Sequence, residues 1–188
     1  MIHYLFKTSN FFPMHVYETF EQIDFSALRL AGIKVLLIDL DNTLADYETL
    51  VPSREQIDFF NQLVAQGFNI IIVSNNSENR VRDYCIPLGQ PYVARAKKPF
   101  SSGFRKALSL YGSPIDTEAV CMIGDQLLTD VLGASRMAMK SVLIDPLRKK
   151  TERWYTRLNR SMERSVLKRM KRQDAKRFDA LGLSRRLS

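Results

Sequence analysis

Short apolar runs alternate with longer amphipathic segments along this chain. The runs cover residues 35–39, 70–74, 91–94, 120–123 and 141–144, and most are rich in β-branched residues with little polar alternation. Strands that are apolar on both faces are typical of a parallel sheet with helices packed on either side. The runs therefore predict buried parallel strands.

The segments between these runs have the length and periodicity of helices. The first covers residues 52–66, begins with Pro52, a residue favoured in first helical turns, and ends before Gly67. Three further segments follow the same pattern, namely residues 77–88, 100–111 and 127–138. This alternation predicts an α/β, doubly wound three-layer fold around a mainly parallel five-stranded sheet with right-handed crossovers.

The net charge of +8 is distributed unevenly. Residues 147–188 hold 15 Lys/Arg and 4 Asp/Glu, a balance of +11, whereas residues 1–146 hold 13 and 16, a balance of −3. Such asymmetry points to an anionic partner surface, either membrane or nucleic acid. We divide the chain into an N-terminal lead-in that packs on the core (1–30), the core itself (31–146), and a basic helix and tail (147–188).

Composition excludes several classes of protein. With 45% apolar and 26% charged residues, the chain is not expected to be disordered. No stretch approaches the ~20 apolar residues needed to span a bilayer, and residues 1–14 make a poor secretory signal. Cys85 and Cys121 form no CxxC pair, and Cys121 is expected to pack in the core. We predict a cytoplasmic protein.

Two carboxylates follow the first predicted strand, in the segment Asp39-Leu40-Asp41-Asn42-Thr43. Ligands of open α/β sheets bind at the carboxyl ends of strands, so both side chains can turn into one crevice. There the first can attack phosphorus and the second can transfer protons, while a divalent metal offsets their like charges. The alternative is a surface turn in which Asp and Asn only cap and bend the chain.

Polar groups also end the second and fourth predicted strands. Ser74-Asn75 can bind an anion through hydroxyl and N–H donors, or can serve as a helix cap without a ligand. Gly124-Asp125, followed by Asp130, can complete an oxygen-rich Mg²⁺ site. Asp130 can equally cap or solvate the start of a helix.

Lys97 and Lys98 follow the third predicted strand, directly before Pro99. A cation at this position can neutralise a phosphoryl transition state. By itself the pair is equally typical of a solvated loop. The four signals support one another because each lies where the next catalytic group is needed.

In this order the signals resemble the haloacid dehalogenase (HAD) superfamily, whose signature reads DxDx[TV], Ser/Thr, Lys and an acidic pair such as GDxxxxD. The corresponding segments here are DLDNTL, VSNN, AKKP and GDQLLTD. The resemblance implies Asp39 as nucleophile and Asp41 as general acid/base. It also implies Mg²⁺ held by Asp39, the Asp41 backbone carbonyl and Asp125, with Asp130 as an outer acid.

The same resemblance implies Ser74 and Lys98 on the phosphate, and we add the neighbouring Asn75 to this predicted phosphate site. Lys98 is preferred over Lys97 because the Lys-Pro pairing is the commoner form. These residues are predicted to hold the phosphate, whereas Asp39 is predicted to attack it.

The spacing of the motifs argues against a cap domain over the site. Thirty-four residues separate Asp39 from Ser74, and 23 separate Ser74 from Lys98. Each interval has room for a loop, one helix and one strand. We therefore expect a HAD-like Rossmannoid core without a cap, open to bulky or surface-bound phosphomonoesters.

More narrowly, the chain resembles the bacterial HAD-IIIA phosphatases of the YqeG type, which are similar to mitochondrial phosphatidylglycerophosphate phosphatases. The resemblance lies in Phe12-Pro13, GIKVLLIDLDNTLADY, ARAKKP, GDQLLTDVLGA and TRLNR (156–160) with Glu163. It implies a Mg²⁺-dependent phosphomonoester hydrolase that forms an aspartyl phosphate and acts on phosphatidylglycerophosphate in phosphatidylglycerol synthesis. Two alternatives stay open: a soluble phosphatase for a nucleotide, sugar phosphate or phosphoprotein, and a non-catalytic scaffold that binds RNA or the ribosome.

The basic tail carries an apolar stripe at every fourth residue, at Trp154, Leu158, Met162, Val166 and Met170. This pattern predicts an amphipathic basic helix. The stripe can pack on the core, residues 150–172 can lie on an anionic membrane, or the cations can bind RNA phosphates. The lipid-phosphatase resemblance favours peripheral contact with the inner face of the membrane over nucleic acid.

Overall fold

A six-stranded parallel sheet forms the centre of the molecule, in the order β1-β6-β5-β2-β3-β4. The computed structural model describes the backbone of residues 6–147 and 154–187, and the side chains of residues 6–147 and 162–187. The strands are β1 (His15–Tyr17), β2 (Val35–Ile38), β3 (Asn69–Val73), β4 (Tyr92–Val93), β5 (Val120–Gly124) and β6 (Lys140–Ile144). All five strand pairs are parallel.

Helices follow most of the strands. They are α1 (Phe25–Leu30), α2 (Arg54–Ala65), α3 (Glu78–Leu88), α4 (Ser101–Leu110), α5 (Leu132–Arg136), α6 (Trp154–Gln173) and α7 (Ala175–Ala180). The predicted helix 52–66 begins later than expected because Ser53 is its cap, its side chain accepting a hydrogen bond from the Gln56 N–H. A π-helical turn, Leu127–Val131, precedes α5 within the segment predicted as one helix.

The sheet is covered on both faces, which confirms the predicted α/β three-layer architecture. Alternate residues of β2 belong to different core clusters: Leu36 to the cluster with Phe60 of α2, and Leu37 to the cluster with Phe104 of α4. Both faces of the strand are thus apolar and buried. Cys85 and Cys121 are buried and free, and burial raises the pKa of both thiols to about 12.

The prediction of five strands was incomplete, because β1 adds a sixth strand at one edge of the sheet. Its residue His15 pairs with Val142 of β6. A three-residue strand has too few positions for a periodic pattern, so the sequence carries no signal for it. The N-terminal lead-in therefore contributes to the sheet itself.

The order in which successive strands are added to the sheet reverses at β2, in the middle of the sheet. From β2 the chain runs outward to β3 and β4, and then returns to β5 and β6 on the other side of β2. Such a reversal opens a crevice beyond the carboxyl ends of the strands that flank it. Here those strands are β2 and β5, which lead directly into Asp39 and Asp125.

Residues 39–98 contain helices α2 and α3 and strands β3 and β4, without a separate cap domain inserted among them. The expectation of an uncapped core is therefore confirmed for this described part of the chain. Among the described residues, none of the helices combines the length and apolarity that crossing a bilayer requires.

The basic helix packs against the body through its apolar stripe. Val166 and Met170 of α6 are fully buried in a cluster with Phe11, Leu127 and Phe178. Of the three alternatives for the stripe, packing on the core is the one that the structure shows for these residues. The side chains of Trp154 and Leu158 lie outside the described residues.

Candidate active site

Asp39 and Asp125 stand side by side where β2 and β5 end. The backbone N–H of Asp39 donates to the carbonyl of Ile123 at 2.9 Å, which continues the ladder between the two strands by one residue. Asp39 exposes 6% of its surface and Asp125 none. The sheet register therefore fixes these two carboxylates beside each other.

Asp130 joins them to form an acidic cluster. One carboxylate oxygen from each of Asp39, Asp125 and Asp130 lies within 4.8 Å of the others. The ammonium group of Lys98 contacts two members, with Nζ 2.7 Å from Asp39 Oδ1 and 2.7 Å from Asp130 Oδ1. With all three carboxylates ionised, as metal ligands are, they and the one ammonium group would carry a surplus of two negative charges in a buried site.

Burial and neighbouring charges shift the pKa values in this cluster. Burial raises the pKa of Asp39 well above its ordinary value; Lys98 opposes the rise, and Asp130 and Asp125 add to it. Burial also opposes the charge of Lys98, but Asp130 and Asp39 together outweigh it and raise the pKa of Lys98. Lys98 is therefore a stable cation, whereas the carboxylates repel one another.

The donor set suits a small, hard divalent cation. Mg²⁺ prefers carboxylate oxygens, and a charge of +2 balances the surplus of the cluster. Both oxygens of Asp130 are already engaged, Oδ1 by Lys98 and Oδ2 by the Gln126 N–H at 3.1 Å. Asp39 and Asp125 are consequently the better candidates for direct ligands, and Asp130 for an outer acid.

Gly124 allows Asp130 to approach the sheet closely. A Cβ atom at this position would lie 2.4 Å from the Asp130 carboxyl carbon, a distance that real Cβ contacts do not reach. The glycine before Asp125 therefore makes room for the second carboxylate of its own motif.

Lys98, rather than Lys97, points into the site. Its side chain is 2% exposed, whereas Lys97 is an exposed residue with a left-handed φ of 57°. The side-chain amide of Asn75 makes hydrogen bonds with both backbone polar groups of Lys98. Its Oδ1 accepts from the Lys98 N–H at 2.7 Å, and its Nδ2 donates to the Lys98 carbonyl at 3.1 Å. One of the two Nδ2 hydrogens and one lone pair of Oδ1 are used in holding this lysine, and the assignment of Asn75 to a phosphate site stays a prediction.

Ser74 lies at the end of β3 and is 1% exposed. Its backbone pairs with the next strand segment, donating to the Val93 carbonyl and accepting from the Ala96 N–H. Its hydroxyl oxygen accepts from the Asn76 N–H at 3.1 Å, which leaves the hydroxyl proton free to donate. The sequence-based assignment to an anion site is compatible with this arrangement.

Asp41 is held by Asn76, the last residue of the VSNN segment, and by Arg80, which the sequence did not single out. Asn76 Nδ2 donates to Asp41 Oδ2 at 2.9 Å, and Arg80 Nε lies 3.2 Å from Asp41 Oδ1. Arg80 also donates to the carbonyls of Asp46 and Thr49, so one guanidinium ties Asp41 to the loop before α2. An Arg in the first turns of a helix usually faces solvent, which is why its sequence position carried no signal.

The expectation of an open site needs refinement. Although no cap domain is inserted between residues 39 and 98, Asp39, Asp41, Ser74 and Lys98 are all more than nine-tenths buried. Their own loops and strand ends exclude water, which strengthens the electrostatic interactions among them.

Residues 16–137 match the family model of the haloacid dehalogenase-like hydrolases. The "Probable phosphatase YqeG" of Bacillus subtilis (strain 168) is 34% identical over 163 residues, which covers 87% of this chain and 93% of that protein. The chain belongs to the haloacid dehalogenase-like hydrolase family. This confirms the resemblance found in the sequence, and the family and this relative together support a phosphatase enzyme.

More distant relatives share part of their length with the chain. The chloroplastic phosphatidylglycerophosphate phosphatase 1 of Chlamydomonas reinhardtii is 30% identical over 134 residues, covering 66% of this chain and 49% of that protein. The chloroplastic/mitochondrial phosphatidylglycerophosphate phosphatase 1 of Arabidopsis thaliana is 28% identical, covering 84% and 47%. The chain therefore spans about half the length of these two relatives.

An uncharacterized protein from Listeria monocytogenes serotype 4b has a similar crystal structure, with a TM-score of 0.50 and 16% sequence identity. The match covers 64% of this chain and 85% of that chain. At this identity the likeness concerns the fold alone.

Proposed function

We propose that the protein is a Mg²⁺-dependent phosphomonoester hydrolase in which Asp39 is phosphorylated and then released by water. The observation that carries this proposal is the buried cluster of Asp39, Asp125 and Asp130 with the ammonium of Lys98 between two of them. A structural turn has no need for three carboxylates and a lysine packed together away from water.

The residues divide the chemistry among them. Asp39 attacks phosphorus and forms a new bond to it, while the bond from phosphorus to the leaving oxygen breaks and Asp41 donates a proton to that oxygen. Asp41 then removes a proton from the attacking water, and the second displacement frees Asp39 and inorganic phosphate. Ser74 and Lys98 supply a donor and a positive charge to the phosphoryl oxygens.

Mg²⁺ would be held by Asp39, Asp125 and the backbone carbonyl of Asp41, with Asp130 in an outer position. When bound, it supplies Lewis-acid polarisation of the phosphoryl oxygens. The surplus negative charge of the cluster supports this assignment.

The test is release of phosphate from a panel of phosphomonoesters with and without Mg²⁺. We expect Asp39→Asn to abolish turnover while the protein keeps its fold. Asp58→Asn, a change of the same kind at a residue of α2 outside the site, is the matched control. A panel without turnover in the wild-type protein would contradict the proposal and favour an idle, RNA-binding scaffold.

We further propose that the substrate is a phospholipid phosphomonoester such as phosphatidylglycerophosphate, reached by peripheral contact with the inner face of the membrane. The names of the two phosphatidylglycerophosphate phosphatases among the relatives support this substrate. Leu50 and Val51 also support it, because they are 67% and 57% exposed on the loop that follows the catalytic motif. Exposed cations of α6 and α7 lie on the segment that packs against the Asp125 loop.

In the described part of α6, membrane contact would come from these cations, because the apolar stripe is buried from Val166 to Met170. Each cation near an anionic surface contributes about 1 kcal/mol. We expect Lys168→Glu with Arg172→Glu to weaken binding to anionic vesicles. The control is Arg105→Glu with Lys106→Glu, the same charge change on exposed residues of α4.

The substrate is identified by comparing phosphatidylglycerophosphate in mixed micelles with soluble nucleotide, sugar and protein phosphomonoesters. The lipid proposal predicts a kcat/KM for the micellar lipid well above that for glycerol 3-phosphate, which has the same type of ester without acyl chains. Equal values, or a clear preference for a soluble substrate, would overturn the lipid proposal and leave the hydrolase proposal intact.

A further inference from the structure

Arg186, in the basic tail, reaches the backbone of the acidic motif. Its Nη2 donates to the Asp125 carbonyl at 2.7 Å, across 61 residues of sequence, and its Nη1 donates to the Ile144 carbonyl at 2.9 Å. The side chain is 7% exposed. One planar guanidinium therefore joins the carboxyl ends of β5 and β6, on the side of the sheet where the site lies.

Glu163 makes a second connection from the tail to the same motif. It is a buried acid of α6, and its Oε1 accepts a hydrogen bond from the Leu128 N–H at 3.3 Å. Leu128 lies in the π-helical turn between Asp125 and Asp130. The tail thus contacts the motif at Asp125 and at Leu128.

Packing fills the space between these two polar contacts. Leu127, Leu128 and Val131 of the motif belong to one buried cluster with residues of the tail, namely Val166, Leu167, Met170, Phe178 and Leu183. Motif and tail therefore share a core. A loop with such support has less freedom to move its carboxylates apart.

We propose that the tail is a positioning element of the metal site, in which Arg186 sets the place of Asp125 and Glu163 sets the course of the turn toward Asp130. The inference rests on the proposed Mg²⁺ site. It gives two residues of the tail a role within the protein's own metal site, whereas the charge of the tail alone indicated a separate anionic partner. Neither residue is catalytic, because each acts through the backbone of the motif.

The sign of the effect separates positioning from simple electrostatics. Arg186 is a cation near a site for a cation, so removing its charge alone would tighten Mg²⁺ binding. If it positions Asp125, removing it weakens Mg²⁺ binding instead. Groups that orient metal ligands typically change metal affinity about 10- to 100-fold when they are lost.

The experiment is calorimetric titration of the full chain with Mg²⁺, without substrate. We expect Arg186→Gln to weaken Mg²⁺ binding about tenfold or more, and Glu163→Leu to weaken it also. Arg185→Gln is the matched control, because Arg185 carries the same charge in the same turn and pairs with Asp145 at 3.0 Å, as Arg186 does at 3.3 Å. The control is expected to bind Mg²⁺ as the wild type does, or slightly more tightly.

A folded Arg186→Gln variant with wild-type or tighter Mg²⁺ binding overturns the proposal. If that variant does not fold, Arg186→Lys replaces it, since Lys keeps the charge but lacks the fork that spans two carbonyls. Undiminished Mg²⁺ affinity in Arg186→Lys would then also overturn the proposal. Failure of the wild-type protein to bind Mg²⁺ contradicts the proposed metal site instead, so the two outcomes are distinguishable.

Discussion

The ammonium nitrogen of Lys98 lies 2.7 Å from Asp39 Oδ1, and the side chains of both residues are more than nine-tenths buried. This pairing places a permanent cation beside the proposed nucleophile. We expect Lys98→Met to lower kcat/KM about 100- to 1,000-fold, because a preorganised charge is lost from the position where the phosphoryl group gains charge.

Lys97→Met is the control for this change. The neighbouring lysine is exposed and carries the same side chain, so its removal is expected to leave kcat/KM within about twofold. The assay is steady-state hydrolysis at saturating Mg²⁺, with circular dichroism to verify the fold. Equal losses in both variants would show that the lysine assignment is wrong.

Arg80 links Asp41 to the loop at Asp46 and Thr49, so its loss should impair general acid catalysis. We expect Arg80→Met to reduce kcat/KM about 100-fold for alkyl phosphates, which need protonation of the leaving oxygen. Activated aryl phosphates need little protonation and should lose far less. Arg80→Lys should recover part of the activity.

The matched control for Arg80 is Arg82→Met, on the same helix but exposed and paired with Asp83. A uniform loss of kcat/KM across alkyl and aryl substrates would refute the idea that Arg80 acts through Asp41. It would instead indicate a general defect in folding or binding.

Gly124 is expected to tolerate no side chain as long as Asp130 is present. A Cβ atom would meet the Asp130 carboxyl group at 2.4 Å, so Gly124→Ala should cost about 1–3 kcal/mol of unfolding free energy. In an Asp130→Ala background the same change should cost much less, because the clashing atoms are gone. Urea unfolding of the four proteins in this double-mutant cycle measures the coupling. A cost that is unchanged by Asp130→Ala would be evidence against the clash.

Leu50 and Val51 are expected to enter the lipid interface beside the site. Replacing both by Ser should weaken vesicle binding about tenfold. Full burial of an exposed aliphatic side chain contributes about 1.5–3 kcal/mol, and these two contribute less because part of each is already covered by the protein. Ile86→Ser is the control, because Ile86 is similarly exposed, at 66%, on α3. Vesicle flotation measures the effect, and equal behaviour of Ile86→Ser would argue against a specific role of the loop.

The sequence predicted the layers of the fold because its apolar runs mark the strands. It predicted the main members of the site because they follow the carboxyl ends of those strands. Continuous apolar runs indicate parallel strands, whose carboxyl ends share one edge, so Asp39, Ser74, Lys98 and Asp125 had to lie near one another. The edge strand β1 was missed because three residues give no periodic signal.

The supporting contacts were not predictable in the same way. Arg80 and Arg186 resemble ordinary surface cations in the sequence, and their partners depend on how the helix and the tail fold back onto the sheet. Asn75 was assigned to phosphate because its position after a strand suggests an anion site. Its contact with the Lys98 backbone was not predictable, because Lys98 lies 23 residues away and is brought close by the pairing of β3 with β4.

The two outer strands of the sheet are short, three residues in β1 and two in β4. A long unpaired edge offers backbone N–H and C=O groups on which another chain can extend the sheet. Here each edge offers few such groups, so intermolecular strand addition has little to build on. The fold thus limits self-assembly through the edges of its sheet.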